Sequence, residues 1–414
     1  MWFRFPLIFV LAIVLLASAP RAQNKTYQWV QPEPGNKIAV RLITSDASCP
    51  ELTVEGRSMA MARRVGPIED FPEYVCELEL PQTTTSIALN GRPLPTFPAK
   101  VERIAVIGDT GCRIRFNAAQ ACNDPDAWPL RKIIEAVAQQ KPDLVIHVGD
   151  FVYRSMACPP PVECEGSPYG DKLETWVEDW IDPAQQIFSN VPVVLVRGNH
   201  ENCGRGGRGW FRYFASGPYP RECAVLTEPW KITLDGFDMI VFDASDGRAP
   251  ASSPEHLLSY RRMAEDMFSG VTRETWFLTH RPLWVDLVAF GNVIDGDDTQ
   301  RAAFGAEFPE QVSLILSGHI HAFQAIDMAN GPVQGIAGNS GARLDPMPDS
   351  HLENIDIAGS PASTVINDHG FGFLLLTRSG QGNWQMDAMD ENGKPRRHCR
   401  LEGRSLTCIR QTSQ

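Results

Sequence analysis

Asp143-Leu144-Val145-Ile146-His147-Val148-Gly149-Asp150-Phe151-Val152-Tyr153 runs from a short apolar stretch into a glycine, a carboxylate and a phenol. Residues 143–148 read as a strand buried on both faces, because the run is apolar apart from Asp143 at its start and His147, and too short for a helix. Four other apolar runs end the same way. Residues 101–107 lead to Asp109-Thr110-Gly111, and 191–196 to Gly198-Asn199-His200-Glu201. Residues 275–278 lead to Thr279-His280, and 312–316 to Gly318-His319-Ile320-His321. A further strand is read over 237–242. Helices are expected between them over 129–140, 173–188 and 255–268. In the first, Leu130, Ile133, Ile134 and Val137 share a face, and Asp126 is offered as its cap. Such alternation describes an α/β fold. In open α/β sheets ligands bind beyond the C-terminal ends of the strands, so these polar residues should converge. After His321 the pattern becomes strand-rich, notably over 333–337 and 371–377.

The chain has 414 residues, enough for one large core and a smaller unit. It is 43% hydrophobic and 21% charged, as expected of a globular protein. A net charge of −12 argues against nucleic acid as a partner. It does not oppose phosphate chemistry, because bound cations set the local field. Residues 1–22 read as an export signal: Arg4, an apolar run over 5–16, then Ala17-Ser18-Ala19. Pro20 disfavours cleavage after Ala19 and leaves Ala22 as the alternative site. An uncleaved anchor is the competing reading, but the apolar run is short for a membrane span. The expected location is therefore secreted or periplasmic, with no stable membrane insertion once the signal is cut.

The 10 cysteines are even in number and fall into five local couples, as an oxidising compartment would favour. Residues 23–99 read as a small β domain, with strands over 37–44, 74–80 and 85–89, a turn at Asn90-Gly91 and a Cys49–Cys76 staple. Residues 100–385 carry all the motifs. Residues 386–414 read as a tail in which Cys399 and Cys408 face each other across a hairpin centred between Gly403 and Arg404. Directly opposed antiparallel residues lie about 4.5–5.5 Å apart, within disulfide reach.

Taken in order, the five motifs resemble the calcineurin-like metallophosphoesterase superfamily, and most closely the purple acid phosphatases. Most members begin with Asp-x-His, whereas this chain has Gly111 at the His position. The second motif has Tyr153, the form in which a phenolate fills the missing ligand's place. Phe277 stands where the fourth motif usually has Val. The resemblance covers roughly residues 101–345. It implies α/β architecture as a two-sheet metallophosphoesterase sandwich flanked by helices, beside the small N-terminal β domain. It also implies two metal ions. The first would take Asp109, Asp150, Tyr153 and His321. The second would take Asp150, Asn199, His280 and His319, with Asp150 bridging. Three anions on one ion suit Fe(III). The second set suits divalent Zn, Mn or Fe.

The activity implied is hydrolysis of small phosphate monoesters by in-line attack of a metal-held hydroxide, with His200 assisting the leaving group. The alternative for His200 is a residue that only orients Asn199. Phosphodiesterase or nucleotide pyrophosphatase activity is the enzymatic alternative, and a non-catalytic metal-binding interaction module is the alternative of another class. Arg281 is offered as a phosphate contact. The glycine-rich loop over 202–212, with Arg205, Arg208 and Arg212, either selects substrates by charge or is a solvated surface. His147 is read as a core or supporting residue.

Overall fold

The computed structural model describes residues 25–246, 254–289, 291–305, 308–380 and 382–409. The export signal read over 1–22 lies outside them. Two sheets face each other. One has seven strands in the spatial order Val193–Leu195, Leu144–His147, Arg103–Ile107, Gly372–Gly380, Asn383–Asp390, Pro395–Glu402 and Ser405–Cys408. The other has eight: Trp230–Thr233, Asp238–Phe242, Thr275–Thr279, Val312–Ser317, Val333–Ala337, Phe323–Met328, Ser360–Asp368 and Ser350–Ile357. The motif-bearing strands are parallel within each sheet.

Side-chain alternation explains the layers. Ile104 and Val106 enter the inter-sheet core with Leu278, Leu314 and Leu316. Ala105 and Ile107 face the other way, against Ile133, Ile134 and Val137 of the helix Leu130–Gln139. The rings of Trp276 and Trp384 meet across the core with centroids 4.9 Å apart. Fully burying each such apolar side chain contributes about 1.5–3 kcal/mol. Phe277 points outward, 5.5 Å from Phe242 and Phe308 and 5.6 Å from Phe304. The departure at this position therefore adjusts the outer layer and leaves the strand end unaltered.

Three expectations are corrected. Asp126 does not cap the first helix; Pro129 stands at that position with no side-chain bond. The helix expected over 173–188 is broken into Leu173–Trp176, a π-helical turn over Val177–Ile181, and Gln185–Phe188. The turn carries the buried Asp179, whose role in the site is described below. The boundary placed before residue 386 falls inside the strand Asn383–Asp390. Trp384, Met386 and Ala388 alternate into the core there, so the last strands extend the main sheet. The terminal hairpin has the expected register, Cys399 opposite Cys408, and the two are disulfide-bonded with Cα atoms 4.0 Å apart. The other four local couples are bonded as well. Among the described residues no helix is long and apolar enough to cross a membrane.

Near the N-terminus two four-stranded sheets run through residues 27–93. Asn90 and Gly91 both have positive φ, as the tight hairpin turn requires. This unit grips the helix Gly207–Tyr213 by its C-terminal carbonyls, which no intrahelical amide can satisfy. Arg41 donates to Tyr213 O (2.6 Å) and Ala215 O (2.9 Å). Arg64 donates to the carbonyls of Phe211, Arg212, Ala215 and Gly217 at 2.7–3.2 Å. Glu33 and Glu77 balance the two guanidinium charges. Arg64→Ala should cost about 3–5 kcal/mol, because it strands partners of a buried ion pair. Urea unfolding measures this; a loss below 1 kcal/mol would mean water replaces the clamp.

Candidate metal centre

Each motif begins where its strand stops and the backbone turns sharply. Asp109, Asp150 and His319 all have positive φ, at 55°, 61° and 71°. Non-glycine residues hold that conformation only when their surroundings impose it. The imposing contacts are backbone amides. Asp109 Oδ2 accepts the His319 amide at 2.8 Å, and Asp150 Oδ1 accepts the His200 amide at 2.7 Å. One carboxylate then organises the second and third motifs together. Glu201 accepts the amides of Asp150 (3.0 Å), Phe151 (2.9 Å), Val152 (3.4 Å) and Gly198 (3.1 Å).

Tyr153 sits at the focus. Its Oη is 2.6 Å from Asp109 Oδ1, 2.8 Å from Asp150 Oδ2 and 2.9 Å from His321 Nε2. His321 Nε2 is 3.3 Å from Asp109 Oδ1. On the other side of Asp150, His280 Nε2 is 3.3 Å from both Asp150 Oδ2 and Asn199 Oδ1. The ligand atoms of Asp150, His280 and His319 lie within 4.8 Å of one another. The structure thus brings all seven expected metal ligands together, with Asp150 between the two groups.

Gly111 explains how Tyr153 reaches this place. A Cβ at 111 would lie 2.6 Å from Phe151 O and 2.9 Å from Tyr153 N. The loop that delivers the phenol occupies the space a side chain at 111 would need. Asp179 fixes that loop, accepting the amides of Tyr153 (3.0 Å) and Cys112 (3.1 Å) and the Arg154 guanidinium (2.5 Å).

The donor chemistry fits cations. A phenol has one hydrogen to give, yet here two carboxylates crowd it. Burial, then Asp109 and Asp150, push the Tyr153 phenol well above its usual range. A bound cation reverses that field. Two imidazoles present Nε2 to the centre because carbonyls hold Nδ1: Val148 O for His280 (2.8 Å) and Arg343 O for His321 (2.7 Å). Such backing orients metal-ligating histidines. Burial lowers the His280 imidazole, but Asp150 outweighs it and raises the group to about 9. Arg281 Nη1 is 3.3 Å from His319 Nε2. His147 is buried, stacked on Phe151 and bonded to Thr110 Oγ1 (2.9 Å) and the Gly149 amide (3.1 Å), so it supports the first two motifs.

In the sequence Glu201 is marked only by its adjacency to His200 within the third motif. Asp179 carries no sequence signal, since it acts from a broken helix remote from the motifs it supports. Of the loop arginines, Arg208 pairs with Asp70 and Asp171, and Arg212 is buried against Glu73.

Fold and site define a metal-dependent phosphoesterase. A family model for the calcineurin-like phosphoesterases matches residues 102–323, and the chain belongs to that family. No curated protein matches the sequence closely enough to count as a relative. Among solved structures, purple acid phosphatase PPD1 from yellow lupin (Lupinus luteus) seeds is similar at 16% identity and a TM-score of 0.62, over 90% of this chain and 73% of that one. PhoD is similar at 9% identity and a TM-score of 0.55, over 94% of this chain and 92% of that one. At these identities the likeness concerns the fold.

Proposed function

We propose that this chain is an exported phosphatase that hydrolyses small phosphate monoesters at a two-metal centre. Asp109, Asp150, Tyr153 and His321 hold an Fe(III) ion. Asp150, Asn199, His280 and His319 hold a divalent Zn, Mn or Fe ion. The observation that carries the reading is the Tyr153 phenol, held within 2.9 Å of Asp109, Asp150 and His321. When bound, the two cations supply charge neutralisation at phosphorus and activation of water. Five disulfides support export.

The chain's own residues do the rest. His200 Nδ1 donates to Val152 O at 2.9 Å, which leaves Nε2 free to meet a leaving group. Burial lowers the imidazole to about 4. An incoming phosphate dianion acts in the opposite sense, favouring a proton at Nε2 for the departing alkoxide. Arg281, whose Nε is buried without a partner, stands beside His319 to meet a phosphate oxygen.

Metal analysis with a panel of phosphomonoesters and phosphodiesters tests the reading. Faster turnover of diesters, or a single metal per chain, would overturn it. A Tyr153–Fe(III) contact should give a visible charge-transfer band that Tyr153→Phe abolishes. A colourless, iron-free, active protein sinks the iron assignment alone. His200→Ala should keep both metals and lose about 10²–10⁴-fold in turnover, less for substrates with good leaving groups. Metal loss in that variant would instead make His200 an orienter of Asn199.

A further inference from the structure

Beside His200 lies a cavity of 220 Å³, walled by Val152, Arg154, Ser155, Arg205 and the glycines of the loop. On the proposed function, on which this inference rests, the leaving group departs past His200 into it. The cations around this cavity differ in their commitments. Arg154 is neutralised by Asp179 at 2.5 Å, with Glu178 at 3.9 Å. The Asp171 carboxylate, also in the wall, is occupied by the amides of Arg208 (2.9 Å) and Gly209 (3.1 Å) and by Trp176 Nε1 (2.9 Å). Arg205 is different. Of the three loop arginines it alone faces the cavity, and no described residue forms an ion pair with it.

A second arginine, Arg115, lies within electrostatic reach of Arg205. Ile114 pairs in parallel with Arg154: its amide donates to Tyr153 O (3.2 Å), and its carbonyl accepts the Ser155 amide (2.9 Å). Arg115 therefore follows a residue docked on the cavity wall. The Cys112–Cys122 disulfide closes this loop, and Gln120 pins it to the Arg113 amide (3.1 Å) and to Gly341 O (2.9 Å). Arg115 also forms no ion pair among the described residues. Its electrostatic neighbours are Arg113, Arg205, Asp345 and Tyr153, and the Asp345 carboxylate is held by the His321 amide at 2.9 Å. Three guanidinium groups there share the single Asp345 carboxylate, and an anion would complete that excess of positive charge.

We infer that Arg115 and Arg205 form a second anion subsite beside the metal centre, and that the substrates are phosphate monoesters whose leaving alcohol carries its own anion, a carboxylate or a second phosphate. Guanidinium forks suit both groups.

The test uses the metal-loaded protein and compares glycerol phosphate with phosphoglycerate and a sugar bisphosphate. The doubly anionic substrates should be favoured in kcat/KM by about tenfold at low ionic strength, the equivalent of two exposed ion pairs. Arg205→Gln and Arg115→Gln should each reduce that ratio by about threefold, through KM of the charged substrate. Loss of the preference for phosphoglycerate alone, or for the bisphosphate alone, identifies which anion the subsite takes. A wild-type ratio near one, or a ratio unchanged in both variants, overturns the inference. If no substrate turns over, the phosphatase reading fails instead. Calorimetric binding of phosphoglycerate against glycerol phosphate then decides the subsite separately: tighter phosphoglycerate binding that Arg205→Gln weakens supports it, and equal affinities overturn it.

Discussion

Asp150→Asn is expected to remove both metals and to abolish phosphoesterase activity, beyond the roughly 10²–10³-fold cost of deleting one electrostatic donor. The reason is position. Asp150 Oδ2 is 2.8 Å from Tyr153 Oη and 3.3 Å from His280 Nε2, so it stands between the two proposed ion positions. Asparagine keeps the shape and its carbonyl oxygen still accepts the His200 amide, so the fold should survive. The charge is lost, and an NH₂ group then faces a histidine nitrogen or a phenol. Metal content by mass spectrometry and turnover of a phosphomonoester read the result. Retention of two metals with near-normal turnover would refute the bridging role.

Much of the architecture was legible because the same physics is written repeatedly. Apolar runs fix the strands, and a turn residue followed by ligand types fixes their C-terminal ends. Strands Lys37–Thr44 and Val333–Ala337 have the bounds the sequence suggested. What escaped is what tertiary contact decides. The strand Phe323–Met328 carries the buried Gln324, which bonds Asn367 at 2.7 Å and Asp286 O at 2.9 Å, so no alternation marks it. The edge strand Ser350–Ile357 is mostly polar and half-exposed. The break at Asp179 is invisible because its benefit, holding Tyr153 and Cys112, lies outside the helix. The Arg41–Arg64 clamp is equally silent in sequence, since isolated arginines in strands usually mark a solvated face. The departures at Gly111 and Tyr153 occur together in the sequence, and the structure places the two residues side by side. A side chain at 111 would meet Phe151 O, Tyr153 N and Asp179 Oδ2, so the backbone that delivers the phenol requires glycine there.

The same logic of volume makes Gly198→Ala a severely damaging substitution at the site. Its backbone is ordinary, φ −92° and ψ 174°, which any residue adopts. Glycine is there for space alone. A Cβ at 198 would overlap the Asp150 amide nitrogen and the Asp150 carboxylate, and would lie 2.7 Å from Glu201 Oε2. These are rigid partners: Glu201 is committed to four amides, and Asp150 is fixed by its turn. One methyl group must therefore push the second and third motifs apart, separating Asn199 from Asp150. A displacement near 1 Å costs about 10²-fold in rate even where chemistry is remote, so larger losses are expected here, together with metal. Gly270→Ala is the control, because a Cβ there meets nothing within 4 Å and the backbone is not left-handed. If Gly198→Ala keeps two metals and full turnover while its melting temperature falls, the glycine serves folding, and the close approach of the two motifs does not set the metal geometry.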